Sequence, residues 1–131
     1  MLIVEDEEML RELAREILEA AGYTVRVAGA AEVALALAAE RPPRLLITDV
    51  MMPGVGGCDL AAQLRRKHPE MSVLFVSGHP KGEVLGRDDL SSRTAFLQKP
   101  YSREALLGAV ARALAPPGET SPSGRLPTLE T

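Results

Sequence analysis

Five short apolar runs alternate along the chain with longer segments that carry apolar residues at helical spacing. Each apolar run has the length of a β-strand, and the five lie at residues 1–4, 24–27, 44–48, 72–76 and 94–97. The helical segments lie at residues 7–21, 30–40, 57–67 and 102–114. Strands that alternate with helices predict βαβ units and a parallel sheet covered on both faces. We therefore predict an α/β, flavodoxin-like (βα)5 fold, a doubly wound five-stranded parallel sheet with the order 2-1-3-4-5.

The same spacing predicts which helix side chains face the core. They are Leu10, Leu13, Ile17 and Leu18 in the first helix, Val33, Leu37 and Ala34 in the second, and Leu106, Leu107 and Val110 in the last. Gly22 is expected to end the first helix, and Ser102 is the expected N-cap of the last.

Two segments lack a clear pattern. Residues 78–93 contain Pro80, Gly82 and Gly86, so a helix there is predicted to be short or irregular. Residues 116–131 are rich in proline, glycine and serine, which is typical of a disordered tail or linker. The expected organisation is one folded domain over residues 1–115 followed by that tail.

Composition narrows the classes of protein. The net charge is -3, aromatic residues are 3% of the chain, and the basic residues form no stripe along the sequence, which argues against a nucleic-acid partner. Cys58 is the only cysteine, so no internal disulfide can form. There is no run of about 20 apolar residues and no signal peptide pattern, so we expect a cytoplasmic protein that makes no membrane contact itself.

Polar side chains follow four of the predicted strands. Glu5 and Asp6 follow the first strand, Asp49 ends the third, Ser77 follows the fourth, and Lys99 follows the fifth. The carboxyl ends of parallel strands meet at one edge of the sheet, so these groups should gather there. Two of the carboxylates about 4 Å apart would repel by roughly 4 kcal/mol at an effective dielectric of 20. One lysine cannot offset three carboxylates, so we expect Mg²⁺, which also recruits phosphate oxygens.

Four motifs carry these residues, in the order LIVEDEE, LLITDVMMPGVGG, VLFVSGH and FLQKPYS. Singly, each has an ordinary structural interpretation; Asp49, for example, could be an Asx-turn residue, and Lys99 a solvated surface lysine. Together, each at the right strand end, they make the chain resemble the receiver domain of two-component response regulators. The resemblance covers residues 1 to about 115.

The resemblance implies roles at the centre of the site. Asp49 matches the phosphoacceptor, which attacks a phosphohistidine and becomes an aspartyl phosphate. Glu5 and Asp6 match the acidic pair that positions Mg²⁺, and the backbone oxygen of Met51 matches the remaining protein ligand of the metal.

The resemblance also implies roles around that centre. Ser77 and Lys99 match the hydroxyl and the lysine that contact the phosphoryl group, and Phe96 matches the aromatic switch position. Pro100 matches a proline that follows a cis peptide bond. Phosphorylation in this family alters the face formed by its fourth helix, fifth strand and fifth helix. The implied partner is a sensor histidine kinase or a histidine phosphotransfer protein.

Other functions remain open at this point. A degenerate receiver would act only as a protein-interaction module, but such domains typically lose an acidic residue, the phosphoacceptor or the lysine. A haloacid-dehalogenase-type phosphatase needs an aspartate two residues after Asp49, where this chain has Met51. A flavodoxin-type cofactor binder needs a phosphate-cradling loop after the first strand. We therefore expect a switch domain rather than an enzyme, either a stand-alone receiver or part of a hybrid sensor kinase.

Overall fold

The computed structural model of the 131-residue chain describes residues 1–52, 54–78 and 93–114. Most of the segment predicted to be irregular and all of the predicted tail lie outside the described residues. The domain boundary near residue 115 therefore stays a prediction. So does the switch face, which includes the helix that is fourth in the family's numbering. No helix in the described part of the chain is long and apolar enough to span a membrane.

One parallel sheet of five strands forms the centre of the fold, in the order β2-β1-β3-β4-β5. The predicted fold class and strand order are confirmed. The strands are β1 Leu2–Val4, β2 Arg26–Ala28, β3 Leu45–Asp49, β4 Ser72–Ser77 and β5 Thr94–Gln98. Asp49 and Ser77, predicted to lie at or just past strand ends, are the last residues of β3 and β4.

Four helices cover the sheet among the described residues: α1 Glu8–Ala20, α2 Ala31–Glu40, α3 Gly57–Lys67 and α4 Arg103–Leu114. Gly22 follows α1 with a φ of 101°, a conformation that costs glycine little. The amides of Gly22 and Tyr23 donate to the carbonyls of Glu19 and Leu18, which closes the helix end. Ser102 Oγ accepts from the Ala105 amide at 3.0 Å, so its predicted N-cap role is confirmed.

Aliphatic side chains fill both faces of the sheet. One core layer lies beneath α2 and α3 and includes Leu46, Val73 and Leu60. The other lies beneath α1 and α4 and includes Ile47 and Leu106. Because β3 and β4 are buried along their whole length, their carboxyl ends are fixed firmly relative to one another.

The prediction that two of these helix residues face the core is wrong. Leu13 is 50% exposed and Val33 is 48% exposed. The buried residues of α2 are the small Ala31, Ala34 and Ala38, which recur at helical spacing, and the prediction for Ala34 is confirmed. An alanine-lined face lets the helix backbone approach its neighbours closely, and that turns the larger Val33 outward.

Candidate functional site

Three carboxylates meet at the carboxyl edge of the sheet. Oxygen atoms of Glu5, Asp6 and Asp49 all lie within 4.8 Å of one another. In β1 and β3, Val4 pairs with Thr48, so the residues that follow each of them become neighbours. Glu5 and Asp49 are buried, whereas Asp6 is exposed. The predicted gathering of these side chains is confirmed, and the group has the composition of a metal site with one side open to water.

Short-range hydrogen bonds hold Asp49 at the end of β3. The Met51 amide donates to Asp49 Oδ1 at 3.0 Å, and the Thr48 hydroxyl donates to the Asp49 carbonyl oxygen at 3.0 Å. The chain then leaves the sheet, and the Gly57 amide donates to the Val50 carbonyl oxygen at 3.0 Å. The turn after the strand therefore fixes one oxygen of the Asp49 carboxylate.

Glu5 is held through both its backbone and its side chain. Its amide donates to the Ala28 carbonyl oxygen at 3.1 Å, which extends the pairing of β1 with β2. Arg11, on α1, donates from Nη1 to the Glu5 carbonyl oxygen at 2.9 Å. The Glu7 amide donates to Glu5 Oε2 at 3.1 Å. Arg11 did not emerge from the sequence, because nothing in its spacing reveals a contact with a backbone oxygen.

Lys99 joins the two buried carboxylates. Its Nζ lies 2.9 Å from Glu5 Oε1 and 2.7 Å from Asp49 Oδ2. Its backbone amide donates to the Ser77 carbonyl oxygen at 2.7 Å, which aligns β5 beside β4. The peptide bond between Lys99 and Pro100 is cis, as the resemblance implied. Each Asp49 carboxylate oxygen thus has a donor, one from the turn and one from β5.

Burial and neighbouring charges alter the pKa values of Glu5 and Lys99. Burial raises the pKa of Glu5, and the hydrogen bonds from Lys99 and from the Glu7 amide lower it by less. For Lys99, burial acts to lower the pKa, but hydrogen bonds to Asp49 and Glu5 outweigh it and the pKa is raised. Lys99 is therefore firmly protonated at neutral pH.

The remaining sites named from the sequence lie around this centre. Ser77 is fully buried at the end of β4, in the strand next to Asp49. Phe96 is half-buried, pairs with Phe75 in the sheet and packs against the core beneath α2 and α3. The Met51 side chain is 61% exposed beside the acidic cluster. These positions agree with the expected arrangement, and the roles of the residues stay predictions.

Tyr101 is a neighbour of the site that the sequence reasoning missed. A cavity of about 10 Å³, room for about one water molecule, is lined by Tyr101, Glu5 and Asp49 together with apolar residues of β1, α1, β3 and β4. Burial raises the pKa of Tyr101, the Lys99 charge lowers it, and the two carboxylates raise it again. In the sequence, only its position directly after Lys99-Pro100 connects Tyr101 with the site.

Comparisons with known proteins agree with this geometry. The family model described as response regulator receiver domain matches residues 1–111. The nitrogen assimilation regulatory protein NtrX of Azorhizobium caulinodans is 35% identical over 116 residues, which are 87% of this chain and 26% of NtrX. The sensor kinase CckA of Brucella abortus is 32% identical over 87% of this chain and 12% of CckA.

A solved structure has the same fold. The crystal structure of the receiver domain of NtrX from Brucella abortus superimposes with a TM-score of 0.76 and is 32% identical. The match covers 92% of this chain and 98% of that one. The chain thus corresponds to a small part of the two curated relatives, but it covers nearly the whole of the solved NtrX receiver domain.

Proposed function

The chain belongs to the response regulator receiver domain family, and from that premise we propose that Asp49 is its phosphoacceptor. Receiver domains are signalling switches that accept phosphate from histidine kinases, and this domain has that phosphoacceptor role in two-component signalling. The proposal concerns which residues carry out the role here, and with which cation and partner.

The observation that carries the proposal is the fixed orientation of the Asp49 carboxylate. The Met51 amide holds Oδ1 at 3.0 Å, and Lys99 Nζ holds Oδ2 at 2.7 Å. A carboxylate oxygen attacks the phosphorus of a phosphohistidine and forms a P–O bond. The P–N bond breaks, and its electron pair leaves on the imidazole nitrogen. Lys99 remains near the transferred group and balances charge on its oxygens.

The acidic cluster is proposed to hold Mg²⁺. Glu5, Asp6 and Asp49 supply oxygen atoms, the donors that this hard cation prefers, and the exposure of Asp6 leaves room for the waters it retains. The backbone oxygen of Met51 is the proposed further ligand. When bound, the cation neutralises negative charge on the phosphoryl oxygens.

Ser77 and Phe96 are proposed to report the phosphoryl group to the rest of the domain. Ser77 is buried at the end of β4, one strand from Asp49, so a small shift of its hydroxyl toward a phosphoryl oxygen requires a movement at that strand end. Phe96 lies two residues along β5 from Gln98, the strand partner of Ser77. A movement at Ser77 thus reaches β5 and Phe96 through directly paired strands. β5 is part of the face that we propose responds to phosphorylation.

The proposed partner is a sensor histidine kinase or a histidine phosphotransfer protein. One curated relative is named a regulatory protein and another a sensor kinase, so both a response regulator and a hybrid kinase are compatible settings for this domain. The alternative of a degenerate, interaction-only receiver is disfavoured because the acidic residues and the lysine are all retained, and Lys99 contacts both Glu5 and Asp49.

Intact-mass spectrometry tests the proposal. The protein is incubated with acetyl phosphate, with and without Mg²⁺, as wild type, as Asp49→Ala, and as Asp59→Ala, which removes an exposed aspartate from α3. We expect one added phosphoryl group in wild type and in the Asp59 variant, only with Mg²⁺, and none in the Asp49 variant. An adduct on Asp49→Ala would overturn the assignment. So would a wild type that gains no adduct and whose Asp49 and Lys99 amide signals are unmoved by beryllofluoride.

A further inference from the structure

A second cluster of charge lies at the opposite edge of the sheet, where the strands begin. A cavity of about 270 Å³ opens there between the starts of β1 and β2 and the connection from α2 to β3. Seven described residues line it: Met1, Thr24, Arg26, Arg41, Pro42, Pro43 and Arg44. Three of the seven are arginines and none is acidic.

No acidic side chain among the described residues forms an ion pair with any of the three guanidinium groups. The ion pairs among the described residues involve Arg15 and Lys99, and none involves Arg26, Arg41 or Arg44. Arg26 donates to the carbonyl oxygens of Leu37 and Arg41 at 2.8 and 2.6 Å, which caps the end of α2 but adds no negative charge. Like charges around one cavity repel each other, so a bound anion would relieve that repulsion.

The positive charge in this region also affects the pKa of the Met1 amino group. Burial lowers its pKa, and the charges of Arg26, Arg41 and Arg44 lower it further. All three guanidinium groups therefore act on the same region of space, although Arg41 and Arg44 follow Arg26 by 15 and 18 residues along the chain.

We propose that this arginine cavity binds a small multivalent phosphate anion, with a diphosphate group as the chemical unit that it recognises. Guanidinium groups form paired, charge-assisted hydrogen bonds with phosphate oxygens. A volume of about 270 Å³ suits a small molecule rather than an extended polymer. Pro42 and Pro43 form a rigid wall beside Arg41 and Arg44, which limits the freedom lost on binding. Free diphosphate and a nucleoside diphosphate share this chemistry.

Amide chemical shifts in a two-dimensional NMR titration test the proposal, with protein that carries no N-terminal tag and no Mg²⁺ present. Diphosphate is expected to move the signals of Thr24, Arg26, Arg41 and Arg44 in a saturable way. A parallel titration with ADP distinguishes the two sources. If ADP and diphosphate saturate at similar concentrations, the cavity recognises the diphosphate group alone. If ADP binds more tightly, the cavity recognises a nucleotide. Signals that stay in place up to millimolar concentrations of both anions would overturn the proposal.

The variant Arg41→Ala/Arg44→Ala should weaken diphosphate binding about tenfold or more, because hydrogen bonds to charged groups contribute free energy of that order. Arg26 is retained because it also caps α2. The matched control, Arg103→Ala/Arg112→Ala, removes the same charge from exposed positions on α4 and should bind diphosphate as wild type does. Equal weakening in both variants would show a general charge effect and refute the site. Both variants should still incorporate a phosphoryl group at Asp49, so failure here is separable from failure of the proposed function.

Discussion

Lys99 Nζ lies 2.7 Å from Asp49 Oδ2, although 50 residues separate the two along the chain. The same nitrogen lies 2.9 Å from Glu5 Oε1, so one ammonium group is shared by two buried carboxylates. In this arrangement Lys99 offsets negative charge on the two carboxylates that we propose as ligands of Mg²⁺. The lysine and a bound Mg²⁺ would therefore compete for the same negative charge, which leads to a measurable prediction.

Removal of Lys99 should strengthen the binding of Mg²⁺ while it slows phosphorylation. In Lys99→Ala the two carboxylates lose their ammonium partner, so we expect Mg²⁺ affinity to rise by about three- to tenfold. Acetyl phosphate labelling should slow by about 10²-fold, because a group that stabilises charge in transfer is lost. Calorimetry and intact mass give the two values, with exposed Lys67→Ala as the control. Weaker Mg²⁺ binding in the Lys99 variant would contradict the competition.

The raised pKa of Glu5 predicts a specific dependence of stability on pH. Between the ordinary value of 4.5 and the raised folded value, the folded state binds more protons than the unfolded state. The free energy of unfolding contributed by Glu5 therefore falls as pH rises through that interval. Glu5→Gln removes this contribution, so the variant should gain stability relative to wild type from pH 4.5 upward.

Urea unfolding in metal-free buffer measures this difference, with exposed Glu16→Gln as the reference variant. A constant difference between wild type and Glu5→Gln across the acidic range would refute the prediction. So would a difference of the opposite sign.

Gly57 is expected to tolerate no side chain. A Cβ atom there would overlap the Asp49 carbonyl oxygen and lie 3.0 Å from Thr48 Oγ1, so α3 or the end of β3 must shift. Gly57→Ala should lower the free energy of unfolding by about 1–3 kcal/mol, the usual cost of overpacking, and slow labelling of Asp49. Gly56→Ala is the matched control, because among the described residues its Cβ would meet only the Val50 carbonyl oxygen, at 3.4 Å. Equal stability of the two variants, measured by urea unfolding, would argue against this packing.

The packing of α2 predicts opposite tolerances at two adjacent positions. Ala34 is fully buried, so Ala34→Val adds volume to a filled core and should cost about 1–3 kcal/mol of unfolding free energy. Val33 is 48% exposed, and Val33→Ser should change the stability by less than about 0.5 kcal/mol. Thermal or urea unfolding of both variants decides the point. The reverse order would contradict this packing, in which Ala34 is buried and Val33 is exposed.

The fold and the acidic centre were predictable because each depends on a regular pattern. Apolar runs of strand length separated by helical periodicity leave few arrangements other than a parallel sheet. In such a sheet the residues after each strand share one edge, so Glu5, Asp6, Asp49 and Lys99 could be placed together without any distance being known.

The sequence by itself thus determined the sheet, its strand order and which polar side chains gather beyond the strands. Only the tertiary structure decided that Val33 faces solvent, that Lys99 is shared by two carboxylates, and that three arginines distant in sequence surround one cavity. Hydrophobic periodicity identifies each strand and helix and the average direction of its apolar face. The order of these elements along the chain then restricts the topology. Rotation of a helix by one residue, and the partner chosen by a long charged side chain, depend on packing against other elements, and no local pattern records that.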